Sequence, residues 1–353
     1  MRCMTRQDRN LGFDILKVLS ATIIVLHHYD QATGVLSHPV DFFGGKFNFG
    51  LVVDLFFVIS GFLASKYDDE HVSFSDFIFK RLIRIIPILA LSVAIEAVEK
   101  IYFTNLSAGE QIGFGLTDII INSLGLWWGI FPTKLINQPT WYLSVLVLCY
   151  IVQYFTLFVS RRLSINRDIL TLFTMLLGVA MFMNGWNYPL MNNWIGRGYF
   201  SFFAGALIAR HIEEISLIVA RMMLVLTAIF FGIFFAIPDM IDTPFIYSIF
   251  IWIPIVIYFG KVEFRTSNSI IQTIIVAISQ ASFGVFVWNE PLYGVRDKMI
   301  GLMQTKIDSI GIATCFCIIN WLVGFASYYL LERTISMWLK RNKSEQSERE
   351  KMA

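Results

Sequence analysis

Apolar runs of roughly 17–25 residues recur along almost the whole sequence, broken only by short polar connections. In lipid, every backbone N–H and C=O has to be satisfied within the protein, so runs of this kind become helices that pack as a bundle. Charge content agrees. Only 15% of the residues are charged and 56% are hydrophobic, whereas a soluble domain carries roughly 25% charged residues. A soluble protein with one large apolar core does not fit this recurrence. The expected fold is all-α: a polytopic transmembrane helix bundle. It should have about ten spans, near 12–30, 49–65, 84–103, 139–160, 168–184, 197–210, 219–237, 244–260, 270–289 and 309–331. The stretch 119–136 contains the interfacial residues Trp127 and Trp128 together with Pro132. It reads as a re-entrant or interfacial helix, not a span.

Ten spans leave both termini on one side of the membrane. That side collects 20 of the 28 lysines and arginines, among them Arg2, Arg6, Arg9, Lys80, Arg81 and Arg84. The other side has seven, and Lys17 lies inside the first span. The positive-inside rule then predicts cytoplasmic termini. The basic N-terminus followed by an apolar run resembles a signal peptide. The run is full-length, however, and no small-residue cleavage site follows, so it reads as a retained first span. Residues 336–353 form a polar cytoplasmic tail, and the chain ends about 20 residues after the last span. No appended soluble transferase domain is expected. The net charge of +2 makes no case for nucleic acid, and the acidic residues form no metal-binding cluster. Cys3, Cys149, Cys315 and Cys317 have no metal or disulfide spacing.

Within the first span, Lys17 and His28 stand eleven residues apart. At 3.6 residues per turn they share one helix face, about 16 Å apart along the axis. Charged groups inside a membrane helix are costly, and usually face a protein interior or a watery cavity. The imidazole of His28 could take a proton from a hydroxyl. Lys17, nearer the cytoplasm, could hold an anionic group of a substrate. A snorkelling lysine paired with Asp14, plus a histidine at the interface, would give the same spacing. His27 points about 100° away and is the weaker candidate.

In the second span Asp54 interrupts an apolar run and could orient or charge-balance His28. Ser60 and Gly61 suit close helix packing. Arg81 and Arg84 lie one turn apart before Pro87 and could grip phosphates bidentately. Ordinary anchoring on the positive side would look the same. Trp141, Ser144, Arg197, Asn289, Glu290 and the pair Glu332–Arg333 are further polar marks, each weak alone.

In this order the pieces resemble the acyltransferase-3 family of bacterial integral membrane O-acyltransferases. The family's opening D-x-L-R and later histidine correspond to Asp14, Leu16, Lys17 and His28. A GVDLFFVISGF-like helix is matched by Gly50 to Phe62, and R-x-x-R-x-x-P by Arg81, Arg84 and Pro87. W-x-L-S is matched by Trp141, Leu143 and Ser144. Ser282 to Trp288 match a late helix, and Leu330, Glu332 and Arg333 the final element. The resemblance runs from residue 11 to about residue 335. It departs at Lys17, where the family has arginine, and at Asn289, where it has histidine. It also departs at Val145 and Leu146, where the usual glutamate is absent, and at Thr334, where proline is usual.

The resemblance implies a membrane acyltransferase domain over residues 1–335 in a bacterial inner membrane. Its reaction would move an acyl group, usually acetyl from cytoplasmic acetyl-CoA, to a hydroxyl of a cell-surface glycan or its lipid-linked precursor. No tightly bound cofactor is implied. His28 would be the general base in a cavity lined by Lys17 and Asp54, and Arg81 and Arg84 would bind acetyl-CoA. Trp141, Ser144, Arg197, Asn289 and Glu290 would contact substrate. The partners would be the lipid bilayer, the acyl-CoA donor and the saccharide acceptor. A glycan or lipid transporter, or a divergent inactive member, is the competing reading. A transporter would more often show internal repeats, and none is obvious.

Overall fold

The computed structural model describes residues 9–33, 48–66, 73–103, 113–126, 130–131, 133–236, 243–262, 264–303, 307–335 and 337–338. Helix α1 spans Leu11–Thr33, α2 Val52–Lys66, α3 Phe74–Phe103, α4 Leu116–Ser123 and α5 Trp141–Leu163. Next come α6 (Arg167–Met183), a two-residue hairpin of β1 (Asn187–Tyr188) and β2 (Met191–Asn192), and α7 (Asn193–His211). Helix α8 covers Leu217–Ala236, α9 Pro244–Tyr247, α10 Ile253–Lys261, α11 Ser269–Val287, α12 Tyr293–Met303 and α13 Ser309–Ser327. Short polar side chains start several of them. Asn166, Asn192, Asn268 and Asp308 each accept the first free N–H groups of the helix that follows.

Seven described helical stretches are long and apolar enough to cross a membrane: Leu11–Gln31, Phe49–Lys66, Gln138–Leu163, Leu217–Phe234, Pro244–Lys261, Ser269–Val287 and Ser309–Ile335. The protein is therefore a multi-pass membrane helix bundle. Three more expected spans are helical without meeting that standard. Helix α6 has 17 residues. Helix α3 carries Arg84, Glu96, Glu99 and Lys100, and α7 carries Asn193, Arg197 and Arg210.

The segment 119–136 is not one helix. Helix α4 begins earlier, at Leu116, and stops at Ser123, because Gly125 takes a left-handed φ of 65°. Eight residues rise only about 12 Å, far short of the bilayer core. Asp118 and Asn122 fasten the returning chain. Thr133 Oγ1 and the Lys134 N–H donate to Asp118 Oδ1 at 2.5 and 3.0 Å. Asn122 donates to Lys134 O at 2.9 Å and accepts from the Ile136 N–H at 3.2 Å. Trp127, Trp128 and Pro132 lie outside the described residues, as do Cys3 and most of the tail.

Helices α2 and α7 make the closest crossing. Gly61 of α2 lies against the Phe202 carbonyl, and Gly205 of α7 lies against the Val58 carbonyl. A methyl group at either position would overlap that carbonyl. Small residues let membrane helices approach in this way, where no hydrophobic force drives them together.

Pro254 explains a second feature. It lacks an N–H and crowds the carbonyl four residues back, that of Phe250. A π-helical turn over Ser248–Trp252 absorbs the mismatch. Thr227 Oγ1 of α8 donates to the freed Phe250 carbonyl at 2.8 Å.

Candidate functional site

A cavity of about 430 Å³ lies between α1, α2, α3, α5, α11 and the π-helical turn Tyr328–Glu332 that follows α13. Its size suits a ligand arm, not a lone ion. One part of the wall is cationic, formed by Arg9, Lys17, Lys80, Arg81 and Arg84, with Glu332 as its acid. The remainder is apolar and hydroxyl-bearing, with Phe56, Ser60, Leu143, Tyr142, Phe283 and Phe286. Ser60 Oγ and the Tyr142 hydroxyl are 3.4 Å apart.

Three expected residues, Lys17, Arg81 and Arg84, meet in this cavity. Arg81 is held in place. It donates to the Phe77 carbonyl at 2.9 Å and lies over the Phe77 and Tyr150 rings, at 3.5 and 4.7 Å. Arg84, one turn on, is exposed. Lys17 is half-buried and makes no hydrogen bond or ion pair with another described residue. Asp14 does not pair with it. The Asp14 carboxylate instead accepts two hydrogen bonds from Arg9, both at 2.6 Å, and one from Ser279 Oγ at 2.7 Å.

His28 stands on the same face of α1 but outside the cavity lining. Its Nδ1 is 2.7 Å from Asn289 Nδ2, just past the end of α11. Asn289 Oδ1 in turn accepts from Asn320 of α13 at 3.4 Å. Asn289 and Asn320 are both fully buried.

Three rings line the end of the cavity toward His28. Phe56, Tyr142 and Phe286 are the lining residues of α2, α5 and α11 nearest the His28 end. Their centroids lie 5.5 to 6.4 Å apart. Asn289 follows Phe286 by one turn.

Asp54 was expected beside His28. It pairs elsewhere. Its fully buried carboxylate takes Arg197 Nη2 at 2.9 Å and lies 3.5 Å from Ser201 Oγ, which is 3.1 Å from Ser248 Oγ. The cause is the α2–α7 crossing. Asp54, Val58 and Gly61 share the α2 face that meets Gly205, so Asp54 is carried onto α7 and away from α1. Trp141 and Trp194 lie together on one side of the Arg197 guanidinium, at 5.3 and 5.4 Å, and 4.6 Å from each other. Ser144 is fully buried, and its Oγ has no partner among the described residues.

Glu290 holds the chain around the His28 end. It accepts from Lys100 Nζ at 3.1 Å and from the Gln138 N–H. Lys100 also meets Glu96 at 3.0 Å. Sequence reasoning thus grouped residues that fall in three places: the basic cavity, the His28–Asn289 row, and the Asp54–Arg197 pair beneath Trp141. It missed Tyr142, Ser279 and Asn320. Asn320 was the one findable signal, an amide inside an apolar helix. It counted Arg9 as a topological charge only.

The acyltransferase-3 family model, described as an acyltransferase domain, matches residues 10–330. No curated protein and no solved structure gives a significant match. The family match covers nine-tenths of the chain, including His28, Asp54 and all of the cavity lining except Arg9 and Glu332, and so this membrane helix bundle belongs to the acyltransferase-3 family of acyltransferases.

Proposed function

We propose that the protein is an O-acyltransferase. It moves an acyl group, acetyl in the simplest case, from cytoplasmic acetyl-CoA to a hydroxyl of a cell-surface glycan or its lipid-linked precursor. In this reading α3, α6 and α7 complete ten spans, both termini are cytoplasmic, and the membrane is the bacterial inner membrane. The lysine and arginine asymmetry supports that orientation.

One observation carries the proposal. A basic, partly apolar cavity opens around Lys17, and His28 sits eleven residues further along the same helix face, tied to Asn289. Phosphates suit Arg81, Arg84 and Lys17, and a pantetheine arm suits Phe283, Phe286 and Leu143. His28 takes the proton of the acceptor hydroxyl as its oxygen attacks the thioester carbonyl. The new C–O bond forms, the C–S bond breaks, and the proton returns to the departing CoA sulfur. Asn289, Glu290, Trp141, Ser144 and Arg197 lie on the acceptor side. Asp54 contributes by holding Arg197, and through it Trp141, with no contact to His28.

The test is His28→Ala, with glycan O-acetyl content read by NMR of the purified polysaccharide. Loss of acetyl groups is expected, and normal acetylation sinks the histidine mechanism. Arg84→Ala should weaken CoA binding. An unchanged affinity removes Arg84 from the donor site.

A further inference from the structure

Arg9 brings a guanidinium into the cavity that no sequence motif announced. Its Nε and Nη2 each donate to Asp14 at 2.6 Å, and Asp14 is almost fully buried. Ser279 of α11 donates to the same carboxylate at 2.7 Å. The chain just before α1 is pinned as well. Asn10 Nδ2 donates to the Phe259 carbonyl at 2.5 Å, and the Leu11 N–H donates to the Phe264 carbonyl at 3.0 Å. Arg9 therefore lines the cavity from a fixed position and is not a loose terminal side chain.

A guanidinium has five N–H donors in a planar fork. The two on the Nε–Nη2 edge are spent on Asp14. Among the described residues nothing meets the Nη1–Nη2 edge, and that edge fits two oxygens of one phosphate. Lys17, in the same cavity, is a point charge without a fork, and it stands where the acyltransferase-3 pattern has arginine.

We propose that Arg9 binds a phosphate of the donor, supplying the planar contact that Lys17 cannot make, and that Asp14 and Ser279 are its positioning residues. This rests on acetyl-CoA being the donor. Charge-assisted contacts of this type change affinity by about tenfold.

The experiment measures binding of CoA and of pantetheine, which lacks the phosphates, to the purified full chain in lipid nanodiscs. Arg9→Ala should weaken CoA binding about tenfold and leave pantetheine binding unchanged. A merely structural role would lower both. Arg9→Lys keeps the charge without the fork and should fall between. Lys17→Arg should restore more affinity in the Arg9→Ala background than it adds to the wild type. Unchanged CoA affinity in Arg9→Ala, or equal losses for both ligands, overturns the role of Arg9 while the donor reading stands. A wild-type protein that binds no CoA overturns both.

Discussion

Asn289 reaches His28 Nδ1 at 2.7 Å across 261 positions of sequence, joining the far end of α11 to the C-terminal part of α1. This contact fixes the ring plane and leaves Nε2 as the free nitrogen. For Nε2 to accept a proton, Nδ1 must carry one and Asn289 must offer its carbonyl oxygen. The amide can do so by a half-turn, which the Asn320 amide must follow, since it donates to Asn289 Oδ1 and its own Oδ1 has no partner among the described residues. Asn289→Leu removes both edges. It should lower single-turnover acyl transfer by about tenfold or more, out of the roughly 10²–10⁴ that a positioned base supplies. CoA affinity should be untouched. Asn289→His, which can still accept, should keep most of the rate. If the leucine variant transfers at the wild-type rate, Asn289 does not orient the base.

The Asp54–Arg197 pair sits in a bundle interior with little water, where one charge left alone is far worse than two together. Asp54→Leu or Arg197→Met should each destabilise the protein by about 3–5 kcal/mol. The double substitution should cost clearly less than the sum of the two. Thermal unfolding of the four proteins in detergent closes this cycle. Additive losses would mean that the ion pair carries no coupling.

Much of this was legible in the sequence, for a definite reason. The helical period alone sets Lys17 and His28 on one face, because that relation lies within one element. Arg81 and Arg84 are one turn apart for the same reason. Partner choice between elements is different. Asp54 meets Arg197, not His28, because two glycines and two carbonyls decide how α2 crosses α7, and that crossing joins positions 143 residues apart. Arg9 reads as a topological charge until Asp14 and Ser279 are seen to aim it. The helix expected over 119–136 is shorter, Leu116–Ser123, because Gly125 turns left-handed, a local glycine signal that the tryptophans and Pro132 overshadowed.

The rings of Phe56, Tyr142 and Phe286 line the cavity at the end toward His28, where they can shield a thioester on its way to the base. Keeping water from an activated thioester is one role of such a shield. Phe286→Ala should admit water and raise acceptor-independent release of CoA thiol from acetyl-CoA several-fold. CoA affinity should stay near that of the wild type. Phe286→Leu, which refills most of the volume, should leak less. Thermal unfolding separates this effect from the loss of stability that a buried Phe→Ala change brings. Unchanged thiol release in a folded alanine variant would show that the rings do not seal the cavity.

On the proposed cytoplasmic side, His211 bridges two carboxylates, with Nδ1 2.9 Å from Glu214 and Nε2 2.9 Å from Asp168. Arg210 holds the same Asp168 at 2.7 Å, so the start of α6 is tied to the end of α7. Hydrogen bonds from His211 to Glu214 and then to Asp168 favour the imidazolium and raise its pKa above the ordinary 6.5. The folded protein therefore holds this proton more tightly than the unfolded chain. The stabilisation is complete below the unfolded value and fades as pH rises through the higher folded one. His211→Gln should accordingly lower the unfolding temperature at about pH 6 and cost little at about pH 9. Because His211 is half-exposed and Glu214 exposed, added salt should shrink the difference at the lower pH. A loss of equal size at both pH values would mean that the histidine acts through packing and not through its charge.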